Sequence, residues 1–456
     1  AFATRDRQAL QGRFRLGVIP TIAPYFLPAI LPVLKERFPG LSVELRESVT
    51  QTLVETEVAG RRHHEAFHRF FSHGTWSPDK LGELLFEKIV DWLLDQGVTI
   101  HLVLDDTLVT KKGPKIFGLG AHIDAVRSTK LMRVLAFGHA WVTLSVVVHL
   151  PFSKRPWSLP VLFRLYRTKK EHRKNKQGCY KKKTELAREI LDLVVSWMPQ
   201  RRFCVTADVA YANDTVLRGL PSNVDFVGAM RADAVLTALP TAEEQKKTGR
   251  RRKRGKVLPK PLAMSKSTTP WAKVNAFLYG KTRTVQYKTV DAQWYRGAGT
   301  RLLRVVVVRM QSGKLPVRVF FSTDLSMDVA TILEVYAGRW SVEVCFRDLK
   351  QLLGFGDSQA RLRCAVERTA PFVGLLSTLL VLWFTTNGIW KSECAALPLR
   401  PWYGHKRGYC FADVLRAAQR VLAGSDVLDL ACNFENLHQP IGRPPQRAAT
   451  RESMAM

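Results

Sequence analysis

The chain has 456 residues, with 70 Lys plus Arg against 39 Asp plus Glu and a formal net charge of +31. That length supports a sizeable core and two or three domains. The charge argues for a polyanionic partner, nucleic acid before an anionic membrane surface, because no basic amphipathic helix stands out. Seven scattered cysteines with no C-x-x-C pair argue against a disulfide framework or a zinc-cysteine site.

Residues 1–56 differ in character from the rest. Residues 14–19 read as a strand. Thr21 is placed to cap a following helix with Pro in its opening turns, and residues 43–45 form a second strand. Residues 15–28 (RLGVIPTIAPYFLP) and 37–47 (RFPGLSVELRE) resemble the opening of the effector-binding domain of LysR-type regulators. Only the first strand-helix-strand of such a domain is expected here, too little to close a sheet or a pocket. The piece reads as a fusion remnant, with no effector bound.

Residues 57–99 are expected to be helical, with helices over 60–71 and 78–96. The first contains His64-Glu65-Ala66-Phe67-His68. This matches the H-E-x-x-H zinc-peptidase pattern. A chance match is the better reading, since Glu83 and Glu87 are the only nearby third ligands.

Residues 100–109 form an apolar strand carrying Asp105-Asp106-Thr107. Alternation along a strand sends only one of the two aspartates into a site. Lys111, Lys112 and Lys115 follow in a loop. Further strands are expected over 134–150, 159–166, 202–208 and 225–230, the third of these ending in Asp208. Acidic residues at the ends of buried strands are costly unless a metal or hydrogen-bond donors meet them. Between the strands, residues 167–183 are strongly basic and include Lys181, Lys182 and Lys183 around Tyr180; they read as a DNA contact. A helix over 184–198 follows.

Residues 231–327 read as a β-rich insertion. Its basic entry loop, Arg250 to Lys256 with Arg251, is expected to be disordered, and strands follow over 284–290, 302–310 and 317–322. Trp271 and Trp294 lie within it, more plausible as packing residues than as stacking platforms for a flipped base. Residues 336–350 read as a helix whose apolar face is Val335, Val342, Phe346 and Leu349. Tyr336, Arg339, Glu343 and Lys350 fall on its other side. Residues 364–384 form an apolar core helix, of which the uncharged part is short for a membrane span. Beyond 390 one modest helix (411–422) precedes a tail expected to be disordered.

The spacing Tyr336-x2-Arg339-x3-Glu343-x6-Lys350 resembles the signature of one group of DDE transposases from bacterial insertion sequences. Asp208-x-x-Tyr211 and His63-His64-x3-His68-Arg69-Phe70-Phe71-Ser72 are similar to the wording of that group. The resemblance covers about residues 57–390. It implies an α/β fold: a ribonuclease-H-like mixed sheet flanked by helices, in two parts (100–230 and 328–390) around the insertion, followed by a C-terminal region (391–456). It implies metal-dependent DNA cleavage and strand transfer at terminal inverted repeats, two Mg2+ ions (or Mn2+) held by Asp106, Asp208 and Glu343, and Tyr336, Arg339, Lys350, Lys182 and Arg251 toward phosphate. In the family the acid immediately before the Thr is the ligand, hence Asp106. It further implies a homodimer on double-stranded DNA in the cytoplasm. The rival readings are a non-catalytic DNA-binding descendant or an inactive fusion product, then a LysR-type regulator or a zinc peptidase.

Overall fold

The computed structural model describes residues 12–18, 41–47, 64–113, 115–124, 127–129, 131–175, 178–244, 251–310, 317–397, 406 and 408–424. The chain divides into two compact units, residues 1–74 with 425–456, and residues 75–424.

In the first unit, strands β1 (Gly12–Val18) and β2 (Leu41–Glu47) pair in parallel, Gly12 against Leu41 through Val18 against Glu47. Helix α1 (His64–Ser72) also belongs to it. The helix expected between the two strands, and the side chains of His64 and Glu65, lie outside the described residues.

The second unit is built on one large mixed sheet. Its first strand by sequence, β3 (Ile100–Thr110), follows helix α2 (Pro78–Leu93). Then come β4 (Gly120–Ile123), β5 (Leu135–Val148), β6 (Trp157–Tyr166), helices α3 (Lys169–Asn175) and α4 (Lys183–Trp197), and β7 (Phe203–Ala207). A short helix α5 (Asp214–Leu217) leads to β8 (Val224–Met230). The insertion supplies α6 (Pro261–Lys266), β9 (Ala272–Leu278), β10 (Lys281–Gln293), α7 (Tyr295–Ala298), β11 (Leu302–Met310) and β12 (Arg318–Ser322). Helices α8 (Val329–Gly338), α9 (Trp340–Leu352), α10 (Arg363–Thr386) and α11 (Phe411–Gly424) complete it.

The strand order is β4-β5-β3-β7-β8-β12-β11-β10-β9, with β6 also on β5. The β3-β7-β8 centre is parallel and mostly apolar where buried, with Thr107, Thr206 and Asp225 the polar exceptions, as strands covered on both faces favour. The insertion is therefore not a separate layer: β12 pairs with β8 and carries the sheet onward. Both faces are covered. On one, Phe163 of β6 meets Phe355 at 5.9 Å, and Gly374 of α10 lies so close that a Cβ there would stand 2.1 Å from the Phe163 ring. On the other, Arg164 is paired with Glu189 of α4. Helix α2 lies along β6, with Gly82 against the Val161 carbonyl and Phe86 against Trp197 of α4 at 5.5 Å. Helix α10 is long and apolar enough to cross a membrane, yet it packs on β6, and Thr378 donates to the Pro160 carbonyl at 2.8 Å.

Two expectations change. The 336–350 helix is the junction of α8 and α9, with a single turn residue, Arg339, between them. The entry loop expected to be disordered is held, at least over 251–256, by backbone bonds: Gly255 N–H to Ala238, and Ala238 N–H to Lys256.

Candidate active site

The carboxylates stand midway along β3, just past the end of β7 and in the first turn of α9. Asp208 directly follows β7, and Asp105 and Asp106 lie on β3. The pairing of these parallel strands runs Val103–Thr206 and Leu104–Ala207. Its next step sets Asp105 beside Asp208, and partners in register share a face. Across β5 and β6 the row from Asp105 continues through Thr143 to Phe163. Phe163 is on the α10 face, so Asp105 is too. The row from Asp106 runs through Val142 to Arg164, on the α4 face.

Side-chain contacts agree. Arg339 donates to Asp105 at 2.6 Å and to Glu343, one helical turn on, at 3.1 Å. Asp106 instead accepts from Tyr211 Oη at 2.6 Å and from Lys183 Nζ at 2.5 Å. Asp106, expected beside Asp208 and Glu343, is thus turned to the opposite face. The reason is strand alternation: adjacent residues cannot share a face, and the register gives the Glu343 side to Asp105.

Burial pushes the Asp105 carboxyl up to about 7, against the pull of Arg339 and of the Asp106 N–H. Arg339 itself is raised: burial opposes its charge, but Asp105, Tyr336 and Glu343 favour it. Tyr336 packs on Phe320 at 4.6 Å, with the Arg339 guanidinium 5.9 Å from its ring. Burial raises its phenol, Arg339 lowers it, and nearby Asp208 raises it further. Asp105, Asp208, Tyr336, Arg339 and Glu343 therefore form one electrostatic group.

Other expected residues fall around or away from it. Lys350 is exposed two turns along α9, near Asp124. Lys111 reaches the Ser358 carbonyl. Lys182 is exposed at the start of α4, where its N–H bonds Glu185 at 2.7 Å, and its neighbour Lys183 is the one that turns inward. Arg251 is exposed and is not brought to the carboxylates. Its loop adjoins the end of β10, since Thr237 bridges both Val257 and Gln293. Trp271 is clasped by Lys288 and Arg309, and Trp294 packs on Phe321. The sequence gives no sign of which aspartate Tyr211 and Lys183 hold. That depends on long-range pairing.

The donors are hard carboxylate oxygens, which suit Mg2+ or Mn2+. Among the described residues no three His, Cys, Asp or Glu side chains stand close enough to hold a metal ion as placed. Arg339 spans two of the donors instead. The charge of the site fits a cation.

Residues 41–301 match the family pattern described as DDE superfamily endonuclease, over more than half of the chain. The chain belongs to the DDE superfamily of endonucleases. A second pattern, the LysR substrate binding domain, matches residues 7–62. Over 59 residues the chain is 42% identical to a hydrogen peroxide-inducible genes activator of Haemophilus influenzae, covering 13% of this chain and 20% of that protein. Over 54 residues it is 51% identical to a probable activator of the same name from Mycobacterium xenopi, covering 12% and 29%. It thus spans only about a fifth to a third of the length of these curated relatives. A piggyBac transposase in a synaptic complex with hairpin DNA overlays 89% of this chain and 67% of its own, with TM-score 0.36 and 12% identity. The mixed α/β sheet flanked by helices is the one the sequence implied.

Proposed function

We propose that this endonuclease is a transposase that cuts double-stranded DNA at the terminal inverted repeats of a bacterial insertion sequence and transfers the freed strand to target DNA. Asp105, Asp208 and Glu343 are its metal-holding carboxylates. The observation that supports this most is the shared face: Asp105 within β3 in register with Asp208 just past β7, with Glu343 tied to Asp105 through Arg339. Asp106 is a neighbour pinned on the far face, not a ligand.

Mg2+, or Mn2+ in its place, supplies Lewis acidity to the attacking and leaving oxygens of phosphoryl transfer when bound. The chain's own part is to hold and orient. Arg339, once it releases Asp105 and Glu343, presents a fork suited to a phosphate. Tyr336 orients that fork through its ring, and Lys350 adds charge farther along α9. No side chain in this group is placed as a covalent nucleophile, so direct displacement at phosphorus is the reaction proposed. A homodimer on DNA and a cytoplasmic location complete the reading.

The second reading is a non-catalytic DNA-binding descendant. It is favoured by the Arg339 bridge, which keeps the carboxylates apart as placed. The deciding experiment is Mn2+-dependent nicking of a duplex bearing the element's own ends. Loss of nicking in Asp105→Asn, Asp208→Asn and Glu343→Gln, with all three still folded, is expected. DNA binding without nicking by the natural chain would favour the second reading.

A further inference from the structure

The basic loop of residues 251–256 has a defined place. Backbone bonds tie Gly255 and Lys256 to Ala238. A Cβ at Gly255 would stand 2.4 Å from the Leu239 carbonyl oxygen, so the path requires glycine. The loop then lays the Arg254 guanidinium over the Tyr295 ring at 4.6 Å, while Arg218 approaches the same ring at 6.0 Å and donates to the Tyr295 carbonyl at 3.2 Å. Between them opens a cleft of about 360 Å3 lined by Arg218, Lys253, Tyr295, Thr300 and Arg301, among others. None of its lining residues is acidic. The carboxylate next to it, Asp225, is already met by Arg301 at 2.9 Å, Arg202 at 3.0 Å and the Thr323 hydroxyl at 3.1 Å.

The cleft lies at the other end of the sheet from the carboxylate group. Arg301 reaches the Val224 carbonyl, and Val224 pairs with Phe203 at the start of β7, whereas Asp208 follows its end. That is a strand's length, roughly 17 Å at about 3.3 Å per residue. A chain reading phosphate at Arg339 alone has no use for Arg218 and Lys253 gathered there beside the Asp225-paired Arg301.

We propose that this cleft is a second phosphate-binding subsite, taking the backbone of nucleic acid away from the point of cleavage. Its volume admits a nucleotide-sized group, and guanidinium and ammonium donors of which only Arg301 meets a carboxylate suit a phosphodiester. The inference rests on the DNA-processing function proposed above.

The test is duplex DNA binding by the full chain, read by fluorescence anisotropy in EDTA over a range of salt, so that no catalysis is needed. The pair Lys253→Ala with Arg254→Ala changes exposed side chains only. It is expected to lower the slope of log affinity against log salt by about 1–2, and Lys253→Ala alone by about 1. The control removes the same charge at the β9–β10 turn, with Lys281→Ala and Arg283→Ala, both exposed. An equal loss in the control would overturn the subsite as a mere charge effect, as would an unchanged slope in the cleft variants. A free nucleotide, ATP, separates the two sources of such a phosphate. Competition by ATP at micromolar concentration, with DNA affinity unaltered by the cleft variants, would assign the cleft to nucleotide and overturn the backbone proposal. Failure of the natural chain to bind duplex DNA would bring down the transposase reading as well, which distinguishes the two failures.

Discussion

Asp105 and Asp106 are chemically the same residue in adjacent positions, and the sheet gives them opposite work. Asp105 faces Arg339 and Glu343, whereas Asp106 is gripped by Tyr211 and Lys183. Asp105→Asn is therefore expected to lower metal-dependent nicking by on the order of 100-fold or more, since a metal ligand acts in the reacting state. Asp106→Asn is expected to keep nicking within about tenfold while lowering stability by about 1–3 kcal/mol, the cost of leaving buried donors without their charged partner. Urea midpoints and nicking rates on the two variants decide it; the opposite pattern would return the ligand role to Asp106. Reading the chain alone locates the acidic pair but not its parity. The parity follows from the register of β3 with β7, a contact about a hundred positions apart in sequence that no local pattern encodes.

At the level of elements, the long apolar strands and helices announce themselves, because burial on both faces demands continuous Val, Ile and Leu. The elements that escape a sequence reading are those with weak or outward-facing patterns. Gly120–Ile123 is four residues with no branched pair, Ala272–Leu278 is an edge strand mostly open to water, and Lys169–Asn175 is a helix hidden in a basic run. Glycine tells a similar story at α2. Helix propensity favours Ala over Gly by about 1 kcal/mol, so Gly82→Ala looks stabilising. The structure reverses the sign. A Cβ at Gly82 would stand 2.1 Å from the Val161 carbonyl oxygen, a backbone atom of β6 at the point where its register with β5 shifts. Gly82→Ala is expected to destabilise by about 1–3 kcal/mol net, through overpacking. Chemical denaturation measures this directly, and a raised midpoint would show that α2 does not press on β6 as described.

For the whole molecule, charge is the dominant fact and also sets its response to acid. Burial lowers the imidazoles of His101, His122 and His139, the last to about 4 from an ordinary 6.5, although its ring bonds the Phe117 carbonyl at 2.9 Å. A depressed histidine stays neutral in the folded chain while the unfolded chain takes up a proton. Stability is therefore full above about pH 6.5 and falls as pH drops toward 4, by at most ~1.4 kcal/mol per pH unit for each such group. Asp105 acts in the opposite sense. Its raised carboxyl keeps a proton in the folded chain between its ordinary value and about 7, so acidification favours folding through that group. The buried carboxylates Glu171 and Asp413, held low despite burial by Arg167 and Asn175 and by Lys406 and Cys410, lose their contribution only at lower pH. Asp105 changes protonation over pH 5–7 as well, so the histidine is separated by comparing two chains that share Asp105. His139→Gln, which keeps a donor for the Phe117 carbonyl, is expected to flatten the fall in unfolding midpoint over that window relative to the natural chain. Parallel profiles for the two proteins would mean that His139 is not the buried neutral imidazole its surroundings describe.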